Sequence, residues 1–225
     1  MRVFLTLFLI SIFLSGYSQI ECPIGDQIWM NKNLDVDTLR NGDKLFKATS
    51  EKDWKKAVKN KVPAYCYYLF NEEVFGIYGK LYNYYAIIDP RNIAPLGWHI
   101  PTITEWNKLV KFEPNNNVTS NDGFLQADDL RSNEFQFEGA VDAENAFGFN
   151  AIPNGFIYDL NDNIKFKFIN LEAWWWTSTK SFNDLNSQLC IDLYTPQIQA
   201  DNNKSIIHAA NSSVFYGCGV RCIKD

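Results

Sequence analysis

Apolar and polar residues alternate along most of the last third of the chain, with the period of two that a half-buried β-strand shows. Groups of turn residues, such as Pro153-Asn154-Gly155, separate the alternating segments. The pattern therefore predicts a β meander in this part of the protein. Its predicted strands are residues 147–152, 156–160, 164–168, 174–178, 188–194, 206–209 and 216–223.

Three more strands are predicted in the first half of the chain, at residues 27–34, 63–70 and 78–88. The second and third are rich in tyrosine and are bounded by proline, glycine or asparagine, as strands usually are. We expect these two strands to pair with each other.

Two segments carry helix start signals instead. Residues 50–60 begin with Ser50, a natural N-cap, and place acidic side chains in the first turn and lysines in the last. A second helix is predicted after Thr102, because a threonine followed three residues later by Glu105 forms a capping box. This helix is expected to end near Phe112, and mostly polar loops are expected after it.

The start of the chain is typical of a secretory signal. Arg2 precedes an apolar run of roughly a dozen residues, and small residues stand before Gln19. The run is shorter than the roughly 20 residues that cross a bilayer, and no later segment is apolar enough to do so. We therefore predict a cleavable signal at residues 1–18, a single domain at residues 19–225 and a secreted or cell-surface protein.

Composition and charge narrow the function classes. The chain carries a formal net charge of −5 and has no cluster of lysines and arginines, which excludes nucleic acid as the expected partner. Its 7 Trp, 11 Tyr and 17 Phe predict a core that is rich in aromatic rings.

The five cysteines are Cys22, Cys66, Cys190, Cys218 and Cys222. Export would bring them to a compartment where disulfides form, but an odd number leaves at least one without an intramolecular partner. If Cys218 and Cys222 share one extended strand they are roughly 13 Å apart, which is too far for a bridge between them. The sequence leaves the connectivity of the bridges open.

Groups that could carry catalysis or bind metal are few. The only histidines are His99 and His208, which excludes a zinc site built from several histidines. His99 is expected to be a packed, hydrogen-bonded structural residue. No nucleophile elbow or cysteine-protease signature is present, and we expect no enzymatic activity.

One short motif suggests a calcium site. The triplet Glu113-Pro114-Asn115 offers the hard oxygen ligands that calcium prefers. It directly follows the second predicted helix and lacks the surroundings that it has in sugar-binding C-type lectins, so we interpret it as a helix stop. No cofactor is expected, and calcium remains the alternative.

Three consecutive tryptophans stand in one predicted strand. Alternation places Trp174 and Trp176 on one face and Trp175 on the other. One face should belong to the core, whereas Trp175 could either pack under a loop or present its ring to a ligand such as a sugar.

Several stretches together carry a resemblance to a known family. They are residues 28–34 (IWMNKNL), 78–83 (YGKLYN), 97–106 (GWHIPTITEW), 148–155 (GFNAIPNG), 175–179 (WWTST) and 220–222 (VRC). In this order and spacing, the chain resembles the Fibrobacter succinogenes major paralogous domain over nearly the whole of residues 24–225.

The resemblance implies an α+β, C-type lectin-like fold with twisted antiparallel sheets, two short helices and long loops. Where the family has Cys-Pro, this chain has Ala94-Pro95. Cys222 would therefore need another disulfide partner, such as Cys66. Cys190 and Cys218 are additional cysteines that could form a replacement bridge.

The family is found in exported bacterial proteins, and no activity is established for it in general. The resemblance therefore implies a non-enzymatic binding or adhesion module of the cell surface, whose partner is a glycan or a cell-surface protein. The loops at residues 111–146 are the expected contact surface. The alternatives are a structural envelope component without a small ligand and a carbohydrate-active enzyme; the ligand and oligomeric state cannot be deduced from the sequence.

Overall fold

The computed structural model describes residues 21–110, 127–135, 137–138, 145–160, 163–180, 188–194 and 206–225. Strands dominate this part of the chain, and the fold is mixed α+β, as predicted. The strands are β1 Glu21–Ile24, β2 Gln27–Met30, β3 Phe46–Lys47, β4 Ala64–Cys66, β5 Leu81–Asn83, β6 Trp98–His99, β7 Asn154–Leu160, β8 Asn163–Ile169, β9 Glu172–Lys180, β10 Gln188–Tyr194, β11 Ile206–Asn211, β12 Gly217–Cys218 and β13 Ile223–Lys224. The α-helices are α1 Glu51–Lys59, α2 Glu72–Phe75, α3 Tyr84–Ile87, α4 Ile103–Val110 and α5 Ala127–Leu130, with 3-10 turns at Tyr68–Phe70 and Gly76–Tyr78.

The strands form two open sheets. The smaller sheet has the order β1-β2-β13-β6, so the C-terminal strand lies between strands from the first half of the chain. The larger sheet has the order β11-β10-β9-β7-β12-β5-β4-β3, and β8 pairs with β7 outside this path. Most pairs are antiparallel, whereas β3 with β4 and β7 with β9 are parallel. The predicted pairing of the two tyrosine-rich segments is confirmed by β4 and β5.

Both predicted helices form, and each begins directly after its predicted N-cap residue. The Ser50 hydroxyl accepts from the backbone N–H of Asp53 at the start of α1, whose Trp54, Ala57 and Val58 are buried. At the start of α4 the Thr102 hydroxyl accepts from the N–H of Glu105, and the Glu105 carboxylate accepts from the N–H of Thr102 at 2.7 Å. The capping box is thus confirmed, and the predicted end near Phe112 lies outside the described residues.

Several predicted strands are shorter or broken in the structure, and two of them are wrong in larger part. The segment at residues 78–88 keeps strand geometry only in β5, because the Asn83 side chain accepts from the N–H of Ala86 and starts α3 instead. The segment at residues 147–152 contributes only an isolated bridge at Ala151. Its backbone takes positive φ at both Gly148 and Asn150, and two such residues so close together interrupt the extended run.

Strand β9 separates two halves of the hydrophobic core. The central cluster lies on the face of Trp174 and Trp176 and includes Tyr82, Cys190 and Cys218. The α4 cluster lies on the opposite face and includes Trp29, Trp106, Phe149 and Trp175. A third group, the α1 cluster, surrounds Trp54 and includes Cys66, Tyr68 and Ile157. The core is therefore as rich in aromatic rings as the composition predicts.

None of the helices in the described ranges is both long and apolar enough to cross a membrane.

Candidate functional site

Arg221, between β12 and β13, is a charged residue whose side chain is fully buried in the described part of the chain. Its Nη1 donates to the carbonyl oxygens of Met30 and Phe149, and its Nη2 donates to that of Asn150 at 3.3 Å. Nε and Nη2 also donate to the side-chain oxygen of Asn33, at 3.2 and 2.9 Å. All of these acceptors are uncharged oxygens. We call this group the Arg221 hub.

The hub holds a charge inside an aromatic shell. The Arg221 guanidinium carbon lies 4.5 Å from the ring centre of Phe149 and 5.8 Å from that of Trp175. Burial lowers the pKa of Arg221 to about 9, so the group still carries its charge at neutral pH. The hub draws on residues 28–34, 148–155, 175–179 and 220–222, so these motifs of the sequence meet in one structural centre.

The suggestion that Trp175 contacts a ligand is wrong. Its side chain is 0% exposed and stacks on Trp106 of α4, with ring centres 5.4 Å apart, while Phe149 packs against its edge. Its indole N–H donates to Asn33 at 2.7 Å. Alternation along β9 is as predicted, but helix α4 covers the second face. The packing alternative for Trp175 is therefore the correct one.

His99 lies between two carboxylates at the edge of the small sheet. Its Nε2 is 2.8 Å from Glu105 Oε1, and its Nδ1 is 2.8 Å from Asp225 Oδ1. Partial burial opposes the charged imidazole, but the hydrogen bonds to Glu105 and Asp225 outweigh it and raise the pKa of His99. Burial likewise opposes ionisation of Glu105, and its bonds to Thr102 and His99 still lower the pKa of that carboxyl group. The prediction that His99 is hydrogen-bonded is confirmed, whereas its side chain is half-buried, and its structural role stays a prediction.

This arrangement predicts a pH-dependent contribution to stability. The part from His99 is complete below its unfolded pKa of about 6.5 and is lost as the pH rises through the higher folded value. The part from Glu105 is complete above its unfolded pKa of about 4.3 and is lost as the pH falls through the lower folded value. The stability lost in His99→Gln, measured by urea unfolding, should therefore be largest near pH 5.5. It should shrink above pH 7; a loss that stays constant from pH 5 to pH 9 would contradict the ion-pair account.

All five cysteines lie in the described ranges and are buried, and the structure contains no disulfide between them. Cys66 belongs to the α1 cluster and Cys222 to the central cluster, so the structure does not bring this suggested pair together. The Sγ atoms of Cys190 and Cys218 lie 3.6 Å apart. A bridge that involves Cys222 stays a prediction.

Six aromatic side chains form a continuous row at the surface, which we call the aromatic strip. Successive ring centres along the row are 5.0, 5.1, 5.2, 6.3 and 5.6 Å apart. One ring, Tyr68, is buried, and the other five are half-buried, so each keeps part of its surface at the solvent. In order, the rings belong to Phe70, Phe166, Tyr68, Phe75, Tyr78 and Phe135.

Apolar and polar groups border the strip. Leu69, Val74 and Ile77, which lie between β4 and β5, are 54%, 55% and 67% exposed. They add exposed aliphatic side chains to the segment that carries most of the rings. The Tyr78 hydroxyl donates to Asn170 Oδ1 at 2.6 Å, beyond the end of β8. The row therefore presents ring surface, aliphatic side chains and amide groups side by side.

The backbone under the strip is strained. Leu69 and Phe70 have φ values of 51° and 57°, a left-handed conformation that bulky residues rarely adopt. Such conformations cost about 1–3 kcal/mol each and cluster at functional sites. Gly155 lies beneath Tyr68, where a Cβ would be 3.0 Å from that ring. Sequence reasoning missed the strip, because its rings come from three segments that only the fold brings together.

Several candidates fall outside the described residues. These are the signal at residues 1–18, the calcium triplet at residues 113–115 and most of the predicted contact loops at residues 111–146. Within the described ranges, no group of three or more His, Cys, Asp or Glu side chains is placed to hold a metal ion.

Comparison with known proteins identifies a family over almost the whole chain. The family model for the Fibrobacter succinogenes major domain matches residues 22–224. No curated protein matches the chain. No solved structure matches it either.

Proposed function

The chain belongs to the Fibrobacter succinogenes major domain family, and from that membership and the aromatic strip we propose that the protein is an exported, non-enzymatic module that binds a polysaccharide chain at the cell surface. The observation that carries the proposal is the continuous row of six rings, five of them half-buried, that is joined through the buried Tyr68. Contiguous exposed ring surface on a soluble domain marks an interaction site.

A sugar chain fits the chemistry of the strip better than a wholly apolar partner. The C–H faces of sugar rings stack on aromatic faces, and their hydroxyls seek amide and carboxylate groups at the border. Asn170 accepts a hydrogen bond from the Tyr78 hydroxyl, Asn71 and Glu73 lie just before Phe75 in the chain, and all three residues are exposed. A row of rings rather than one enclosed pocket suits an extended polymer.

The strained backbone supports the same proposal. Left-handed Leu69 and Phe70 keep the Phe70 ring against Phe166, with ring centres 5.0 Å apart. Selection for stability alone would favour glycine at Leu69, since glycine adopts positive φ without strain. We infer that the apolar side chain is kept for contact with a ligand.

The strip also reaches the segment from which the contact loops were predicted. Phe135, its last ring, lies within residues 111–146 and packs on Tyr78 with ring centres 5.6 Å apart. Phe135 therefore connects the strip with the described part of the predicted contact loops.

We further propose that the fold is a variant of the C-type lectin fold. Two features support this: the first and last strands of the described chain share the small sheet, and the two longer helices, α1 and α4, pack on separate parts of the core. An experimental structure that superposes on a C-type lectin domain would establish the likeness.

Polysaccharide pull-downs and a glycan array with residues 19–225, with and without calcium, test the binding function. We expect selective retention of at least one polysaccharide. Tyr78→Ala should weaken it roughly three- to tenfold, because one stacking surface is lost. Leu69→Gly should also weaken binding while leaving the free energy of unfolding unchanged or about 1 kcal/mol higher, since it relieves backbone strain.

Leu96→Ser is the matched control, because Leu96 is 85% exposed and lies outside the strip. Its binding should equal that of the wild type. Binding that survives Tyr78→Ala and Leu69→Gly unchanged would remove the strip from the proposal. A blank result with every glycan would overturn the binding function and favour a structural role in the envelope.

A further inference from the structure

Two buried cysteines meet inside the central cluster. Cys190 in β10 and Cys218 in β12 are both 0% exposed, and their Sγ atoms are 3.6 Å apart. Cys190 lies opposite Trp176 in the β9–β10 pairing. The bridge between Trp175 and Gly219 brings the residue after Cys218 to the other edge of β9.

The remaining cysteines lie in other surroundings. Cys66 packs in the α1 cluster, and Cys22 packs in the α4 cluster, where its thiol donates to the carbonyl oxygen of Phe147. Cys222 shares the central cluster but flanks the Arg221 hub, and its N-terminal neighbour fixes it there. Proximity therefore singles out Cys190 and Cys218.

We propose that Cys190 and Cys218 form a disulfide when the protein folds in an oxidising compartment. The oxidant is an external disulfide, either of an oxidoreductase or of a small thiol compound. One cysteine thiolate attacks it and expels a thiolate, which gives a mixed disulfide. The second cysteine then attacks the mixed disulfide and releases the other thiolate. The two cysteines lose two protons and two electrons, and the external disulfide is reduced to two thiols.

Burial of the two thiols limits the reaction to the stages of folding at which they are accessible. With both thiols at 0% exposure, an external disulfide reaches them only before β10 and β12 close on the core or during large-scale opening. Oxidation should therefore be fast during folding and slow in the folded, reduced protein.

The bridge would tie the end of the chain to the large sheet. Cys190 and Cys218 are 28 residues apart, and β13 with the Arg221 hub follows directly after Cys218. Closing a loop of this length restricts the unfolded chain and stabilises the folded one. The inference concerns the cysteines alone and does not depend on the glycan proposal.

The test is refolding of residues 19–225 with glutathione disulfide or with a reductant. Mass spectrometry of an unreduced digest should find the Cys190 and Cys218 peptides joined, with the loss of two hydrogens. In denaturant, thiol labelling should reach all five cysteines in the reduced protein and at least two fewer, Cys190 and Cys218 among them, in the oxidised protein. The oxidised protein should melt about 5–10 °C higher than the reduced one.

Cys190→Ala and Cys66→Ala are the matched pair of variants, since both remove a fully buried thiol. The redox-dependent difference in melting temperature is measured within each variant, so any general destabilisation cancels. It should disappear in Cys190→Ala and persist in Cys66→Ala. Five labelled thiols after oxidative refolding, or a joined peptide that contains Cys222 or Cys66 instead, would overturn the proposal.

Discussion

Arg221→Met is expected to lower the free energy of unfolding by about 3–5 kcal/mol, the usual loss when one partner of a buried, hydrogen-bonded charge group is removed. Methionine keeps the length of the side chain but donates no hydrogen bond. The carbonyl oxygens of Met30, Phe149 and Asn150 would then lose the donor that the structure gives them. A domain of ordinary stability has about 5–15 kcal/mol in total, so a large unfolded fraction is expected.

Arg40→Met is the control for this experiment. Arg40 also donates to three carbonyl oxygens, those of Ala94, Pro95 and Trp98, but it lies at the surface. Water can replace its bonds, and the loss should stay near 1 kcal/mol. Urea unfolding of both variants gives the comparison. Equal losses would show that burial of the guanidinium does not determine its contribution.

Gly155→Ala is expected to cost about 3–5 kcal/mol, because it combines a left-handed backbone with a clash. Gly155 in β7 has a φ of 60°, and a Cβ there would lie 2.4 Å from the carbonyl oxygen of Lys167 and 2.8 Å from the N–H nitrogen of Ile169. Both atoms belong to the backbone of β8, which cannot rotate away. The substitution should push β8 off β7 and should also weaken polysaccharide binding through Phe166.

Gly25→Ala separates the two effects. Gly25 has nearly the same φ, 62°, but no atom lies within 4 Å of the position a Cβ would occupy. Its cost should be about 1–2 kcal/mol, the price of the left-handed backbone alone. Thermal or urea unfolding of the two variants measures the difference. Similar losses at both positions would mean that β8 yields to the added methyl group without resistance.

Local signals in the sequence were sufficient for the two longer helices, α1 and α4, and for most of the last strands. The caps at Ser50 and Thr102 act within one helical turn, so their partners lie within three residues. Strand β10 covers the predicted residues 188–194, and β7, β8 and β9 extend their predicted segments by a few residues at most. Alternation and turn residues are local properties, and they predicted local structure.

The failures have two causes: a distant side chain binds the backbone of residues 147–152, and a local side-chain cap starts helix α3 within residues 78–88. At residues 147–152 the carbonyl oxygens of Phe149 and Asn150 accept from Arg221, and the N–H of Asn150 donates to the side-chain oxygen of Asn145. This segment does not form the predicted strand, because the Arg221 side chain donates to carbonyl oxygens that would otherwise accept from a neighbouring strand. At residues 78–88 every side chain from Leu81 to Tyr84 is buried, so burial shows no period to separate strand from helix.

The sequence by itself determined the α+β class, the two capped helices, the alternation of Trp174, Trp175 and Trp176, and the family. Only the tertiary structure decided what those features face. Packing against helix α4 decided between the two alternatives for Trp175, and contacts between segments brought Phe70, Phe166 and Phe135 into the aromatic strip. The physical reason is the distance along the sequence over which each feature is determined. Caps and periodicity depend on neighbours in sequence, whereas burial and surface composition depend on which segments pack together.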